Sequence, residues 1–335
     1  MVEKDNVVLS GMRATGRMHL GNYFGAVKNW VDLQDRYRCY YFVADWHALT
    51  TDYSDPSEIT ANTLESVADW LAAGLDPERS VLFVQSMVPE HAELYLLLSM
   101  ITPLGWLERV PTYKEQIREL NRKDLSNHGF LGYPVLQTGD IILYRAHFVP
   151  VGEDQSSHLE LSREIARRFN GLYGEVFPEP KALFTPSARV PGLDGRKMSK
   201  SYGNAIYIAD TPEEIEAKCK SMFTDPQRIR RSDPGHPETC NLFSFHQLVS
   251  PPEVREQVER DCRLAQIGCV DDKKLIAERI AEYLAPMRQR REELIRNRDE
   301  ILDILRDGSR TARERARETM EEVRSVMGLD YGQGR

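Results

Sequence analysis

A short apolar run at residues 7–10, a polar loop at 11–17 containing Gly16, and a helical stripe of Leu20, Phe24, Val27 and Val31 open this chain, and the alternation then repeats. Strand-like runs return at 40–44 and 81–85 with a helical pattern over 59–73 between them. A further run at Val149, Pro150 and Val151 leads through Gly152, Glu153, Asp154 and Gln155 into a helix that carries Leu161, Ile165 and Phe169 on one stripe. Strands separated by helices pair in parallel, because only a crossover returns the chain to the same end of the sheet. The fold class is therefore α/β. In such a sheet a ligand sits beyond the carboxyl ends of the strands, where the first loop, the segment Asp45, Trp46, His47 and Gln85 should converge. A core or capping role for Asp45 and His47 is as good a reading as substrate contact.

From Thr211 onward the strand pattern stops, and residues 212–222, 253–267 and 273–305 read as helices, the last broken near Pro286. Ala312, Ala316, Met320, Val323 and Met327 share one face of a final charged helix, expected to pack on the body of the protein. Residues 90–120 are helical in pattern, are interrupted by Pro103 and Pro111, and suit an insert used for dimer contacts. With 335 residues the chain can bury a core without staples. Its 29% of charged residues are those of an ordinary soluble protein, and no apolar run is long enough to span a bilayer. The first residues lack a signal peptide's apolar stretch, so a cytoplasmic protein with no membrane partner is expected. The net charge of -8 speaks against indiscriminate coating of nucleic acid and leaves room for a local basic face.

Two segments carry chemistry. Lys197, Met198, Ser199, Lys200 and Ser201 put two ammonium groups and two hydroxyls on a loop punctuated by Pro191, Gly192, Gly195 and Gly203, which is equipment for a polyphosphate. Far upstream, Thr15, Gly16, Arg17, Met18, His19, Leu20, Gly21 and Asn22 lead from the first strand to a helix start. Gly16 permits a tight turn, Gly21 leaves room for an adenine or ribose, and His19 supplies a neutral donor for a phosphoryl oxygen.

Together these segments resemble the two signatures of the class I aminoacyl-tRNA synthetases, usually written HIGH and KMSKS. The run Gly132, Tyr133, Pro134, Val135, Leu136, Gln137, Thr138, Gly139, Asp140, Ile141, then 149–155, then His158, Leu159, Glu160 and Leu161, resembles the tryptophanyl members of that class from end to end. The resemblance implies a Rossmann-type parallel-sheet catalytic domain at 1–204 with a helical dimerisation insert near 86–140. An all-helical anticodon-recognition domain at 205–300 and a C-terminal helix at 301–335 would follow. It implies activation of L-tryptophan by ATP with Mg2+ and transfer to tRNA(Trp), in a homodimer.

The catalytic groups would be His19, Asn22, Lys197, Lys200 and Ser201. Contacts to ATP are implied for Arg13, Ala14, Thr15, Gly21, Asn22, Gly152, Glu153, Asp154, Val190, Lys197, Met198, Ser199, Lys200 and Ser201. Contacts to tryptophan are implied for Leu9, His47, Tyr133, Gln137, Asp140, Ile141, Val149, Val151 and Gln155, with Asp140 accepting the indole N–H in an otherwise apolar pocket. Many bacterial members have methionine at the position of Gln137 and phenylalanine at that of Leu9. The tyrosyl enzymes are the nearest alternative, a non-catalytic relative and a small-molecule nucleotidylyltransferase the more distant ones.

Cys240, Cys262 and Cys269 have nearly the spacing of the cysteines that hold a [4Fe-4S] cluster in a subgroup of these enzymes, and Asp272 stands at the fourth position. An iron-sulfur site, another metal, or plain buried thiols all fit that pattern. Arg228, Arg230 and Arg231, and Arg288, Arg290 and Arg291, are candidate phosphate contacts or solvated faces.

Overall fold

The computed structural model describes residues 6–110, 127–152, 156–184 and 190–331. Five parallel strands, β1 (Val7–Arg13), β2 (Arg38–Ala44), β3 (Ser80–Val84), β4 (Phe148–Val151) and β5 (Lys181–Phe184), form one sheet in the order β3-β2-β1-β4-β5. The chain builds outward from β1 in one direction and then crosses to β4 on the other side, so the strand order reverses between β1 and β4. That reversal opens a crevice at the carboxyl ends of these two strands.

Two local features differ from the sequence reading. β1 continues past residue 10 through Gly11, Met12 and Arg13, paired with β2 throughout. Gly11 is where the sheet tolerates this, since a Cβ there would lie 2.5 Å from the Phe42 ring. The edge strand β5 has exposed ends and only partly buried middle residues, which leaves no apolar alternation to detect.

Side chains alternate across the sheet. Val8, Cys39, Tyr41, Val43 and Leu82 enter one core with Trp30, Trp70 and the helix Ile59–Ala72, whereas Val7, Leu9, Tyr40, Phe42 and Phe83 enter a second with the helices Glu90–Ile101, His128–Leu143 and Ser156–Tyr173. The first core runs on without interruption into the helices Pro212–Lys220, Asn241–Val249 and Cys269–Arg296 through Ile215, Phe245, Ile280 and Leu284.

The helix Cys269–Arg296 contains Pro286 without breaking; the chain bends instead at Asn297 (φ -116°, ψ 66°). Burial of Leu284 and Leu294 on either side of the proline holds the helix together. The last helix, Arg298–Val326, puts Ile301 and Leu305 into the first core and Ala312, Ala316, Met320 and Val323 into the second. It crosses the open edge of β3 at Gly308, where an added Cβ would stand 1.9 Å from the Leu82 carbonyl oxygen.

Candidate active site

The crevice holds a cavity of about 400 Å³. Its floor and walls come from the ends of β1 and β4 (Leu9 to Arg13, Val149 to Gly152) and from one face of the helix His128–Leu143. Tyr133, Gln137, Asp140 and Ile141 fall on that face because their spacings of four, three and one residues return to the same side of a helix. Leu9, His47, Val149 and Val151, also expected at tryptophan, line the same cavity. Gln155, Glu153 and Asp154 lie outside the described residues. Asp140 sits in the last turn of its helix, so it is no N-terminal cap.

Asp140 is 1% exposed, yet it carries its charge among donors. His47 Nε2 meets Oδ2 at 2.7 Å; Gln85 Nε2 donates to Oδ1 at 2.7 Å, and His91 Nδ1 reaches the same oxygen at 2.7 Å. Burial pushes this carboxyl up, but hydrogen bonds and charge from His47 and His91 outweigh it and hold the pKa at about 2. His91 is fixed in turn by Tyr144, whose hydroxyl lies 2.8 Å from Nε2. The helix Glu90–Ile101 comes close enough for this because Gly132 and Gly139 face it: a Cβ on Gly132 would meet the Tyr95 hydroxyl at 2.4 Å. His91 was not legible in the sequence; a histidine in an apolar helical run was the only signal. Asp45, by contrast, is structural, accepting from Trp46 N and Ser86 N at 3.0 Å each and so joining the ends of β2 and β3.

The two signature segments meet at the neighbouring rim. His19 caps its helix, its Nδ1 accepting from Asn22 N at 3.2 Å, which leaves the proton on Nε2. Burial, then Lys200 and Lys197, lowers the ring's pKa to about 4. The space beside Gly21 is taken by the His19 ring itself, 2.9 Å from where a Cβ would stand, and by Met198. Lys200 Nζ donates to the Thr15 carbonyl, so the downstream loop touches the upstream one directly.

Within the loop Met198 is a buried anchor in the first core, while Lys197 is exposed and Lys200 partly so. Ser199 and Ser201 pair through their hydroxyls at 2.9 Å. The loop is organised by Asn204, which accepts from Ser199 N at 2.8 Å and donates to Asp194 and to the Lys197 carbonyl. Gly192 is required beside it, since a Cβ there would lie 2.1 Å from the Asn204 amide. Arg13, at the end of β1, lines the cavity and donates to Thr51 and to the Ala48 carbonyl. Ala14 is buried, and Val190 accepts from Met198 N at 3.3 Å.

A residues 1–285 match to the family described as tRNA synthetases class I (W and Y) agrees with this geometry. The chain belongs to that family. It is 53% identical to the tryptophan–tRNA ligase of Thermotoga maritima over 97% of this chain and 99% of that one. With the tryptophan–tRNA ligase of Aquifex aeolicus it shares 46% identity over 96% of this chain and 99% of the relative. The tryptophanyl-tRNA synthetase of Campylobacter jejuni, solved in complex with ADP and tryptophan, superposes with a TM-score of 0.89 at 35% identity, covering 96% of this chain and 100% of that one.

Two expectations from the helical half of this synthetase change. Arg291 is no phosphate contact: it is 7% exposed and donates through Nε to Asp69 at 2.6 Å, with Glu65 as a further partner. Arg288 bonds the Asp210 carbonyl, and Arg290 pairs with Glu293 and Glu300.

The expected iron-sulfur ligands do not fit a cluster as arranged. Asp272 is held by His246 at 3.0 Å, and Arg228 Nη1 lies 3.9 Å from the sulfurs of both Cys262 and Cys269. Among the described residues no group of three or more such side chains is placed to hold a metal ion. Among those residues there is also no helix long and apolar enough to cross a membrane.

Proposed function

We infer that this chain is a class I tryptophan–tRNA ligase, which activates L-tryptophan with ATP and transfers it to the terminal ribose of tRNA(Trp). The observation that carries the substrate is Asp140, a buried carboxylate on the wall of a cavity whose lining includes the apolar Leu9, Phe42, Phe130, Ile141 and Val149. An indole offers one donor on an apolar body, and a fixed acceptor in apolar surroundings selects it over phenylalanine, which would leave the acceptor unmatched. Oδ1 already takes two partners and Oδ2 one, so Oδ2 has a lone pair to offer. His47 and His91 act as positioning residues that keep Asp140 charged. Tyr133 and Gln155 are assigned to the amino acid's polar end.

The reaction is an in-line displacement. The tryptophan carboxylate attacks the α-phosphorus of ATP, the bond to the β,γ-phosphates breaks, and pyrophosphate leaves; Mg2+ accompanying the nucleotide would share the charge of its phosphates. Lys197 and Lys200 neutralise the departing charge, and His19 donates from Nε2 as a neutral group. Arg13, Ala14, Thr15, Gly21, Asn22, Val190, Met198, Ser199 and Ser201 are assigned to the ATP side, together with Gly152, Glu153 and Asp154. In the second step the ribose hydroxyl of tRNA attacks the carbonyl carbon and AMP leaves.

A cytoplasmic location is kept as part of this reading, and a homodimer fits the exposed Leu96 (54%), Met100 (67%) and Leu104 (64%) on the helices of the insert. The division into a catalytic part at 1–204, a helical part at 205–300 and a final helix is kept as a functional division, although one core joins the first two.

Pyrophosphate exchange with tryptophan, tyrosine and phenylalanine tests the reading. Exchange is expected with tryptophan alone, and exchange with tyrosine instead would overturn it. Lys200→Ala should slow exchange at least a hundredfold with little change in tryptophan affinity. Iron and sulfide analysis of anaerobically purified protein should find neither at stoichiometric level; a full complement would restore the subgroup with a cluster on Cys240, Cys262 and Cys269.

A further inference from the structure

On the helix Arg298–Val326, Arg306, Arg310, Arg313 and Arg317 follow one another at intervals of four, three and four residues, and so share one face. The acidic residues Asp303, Asp307, Glu314, Glu318 and Glu321 fall to one flank of that row, and the buried face of Leu305, Ala312, Ala316 and Met320 to the other. A surface groove runs along the row, lined by the four arginines, Met87, Ser309 and Glu314.

The side chains are well exposed, at 63%, 69%, 40% and 56% in chain order. Arg306 and Arg310 are held by Asp303 and Asp307, one turn back on their own helix, pairs that at this exposure are easily exchanged. Arg313 and Arg317 reach Glu90 through Nε, which leaves their terminal nitrogens to other partners. Glu90 is buried and anchors the row to the helix Glu90–Ile101.

We propose that this arginine row is a track for consecutive phosphates of the RNA substrate. The helical rise offsets successive arginines by about 4.5 to 6 Å along the axis, on the scale of the step between successive phosphates on one strand. Guanidinium is the group best suited to clasp a phosphate in two places. The position fits as well, since Met87 follows β3 directly and so lies at the carboxyl end of the sheet, the end that opens on the active-site cavity. An acidic surface of a second protein is the other occupant such a row could take; the row's place at the active-site end of the sheet favours the RNA. The proposal rests on the chain's being a tRNA ligase, and the two are tested separately because pyrophosphate exchange requires no RNA.

The test is the double variant Arg306→Gln/Arg310→Gln, whose ion pairs are to Asp303 and Asp307 of their own helix, with Arg313→Gln/Arg317→Gln as a second. Exchange with tryptophan should be unchanged and shows that the protein is folded and active. The KM for tRNA(Trp) should rise about tenfold, and the slope of its logarithm against log salt should fall by roughly one to two as two phosphate contacts are lost. An unchanged KM and slope would overturn the track. So would a variant whose only defect is loss of the dimer in sedimentation, since the row would then be a contact between copies.

Discussion

His19 stays neutral by construction. It is buried at a helix start, it accepts from the Asn22 backbone, and Lys200 and Lys197 stand near it. Folding lowers its proton affinity from 6.5 to about 4, so its contribution to stability is present above pH 6.5 and is lost as pH falls from 6.5 toward 4. A neutral ring at working pH does not repel the lysines that handle the leaving group, and its Nε2 proton remains available as a donor. NMR titration of the imidazole should give a midpoint near 4, and Lys200→Met should raise it while leaving it below 6.5, because burial is the larger cause. A midpoint at or above 6.5 in the wild type would show the ring to be exposed. At this scale the sequence was informative where a residue type has little other use. Asp140, in its run of apolar neighbours, and the lysines of 197–201 were legible. His91 and Asn204 were not, because each acts on a group that is distant in sequence or only structural, and a lone histidine or asparagine has too many ordinary roles.

Elements were legible where periodicity was strong, and less so at edges. The final helix shows what decides its placement: a small residue at one position. Gly308 presses backbone to backbone on β3 at Leu82, with Ser309 Oγ accepting from Val84 N at 3.4 Å. The helix thereby covers an open strand edge that would otherwise template unwanted pairing. Gly308→Val should destabilise the protein by about 2–4 kcal/mol, since the obstacle is main chain and cannot rotate away. Urea denaturation checks this, and a change below about 0.5 kcal/mol would mean that the helix shifts freely on the sheet. The same reasoning explains β5 and Pro286: one strand is too short and too exposed to show a pattern, and one proline is tolerated because packing on both sides outweighs its missing N–H.

Across the whole molecule, the helical half is tied to the first signature segment by a buried relay. Arg291 donates to Asp69, and Asp69 accepts from Met18 N at 2.6 Å, next to His19. Burial outweighs Arg291 and pushes the Asp69 carboxyl up to about 6. Arg291→Met should therefore lower stability by about 3 kcal/mol at pH 7.5, because it leaves a buried charge without its partner, and the deficit should shrink as the pH falls and Asp69 takes up a proton. Stability curves at several pH values check both the size and the sign.

The sequence by itself determined the parallel α/β class, the two signature segments and the family, because each is written in local periodicity or in short runs of residues whose chemistry has few other uses. Only the tertiary structure decided which charges were free to act. Arg291 is spent on Asp69, and Asp272 on His246. The arginines of the last helix keep an open groove, because partnership between distant side chains depends on packing that no local pattern records.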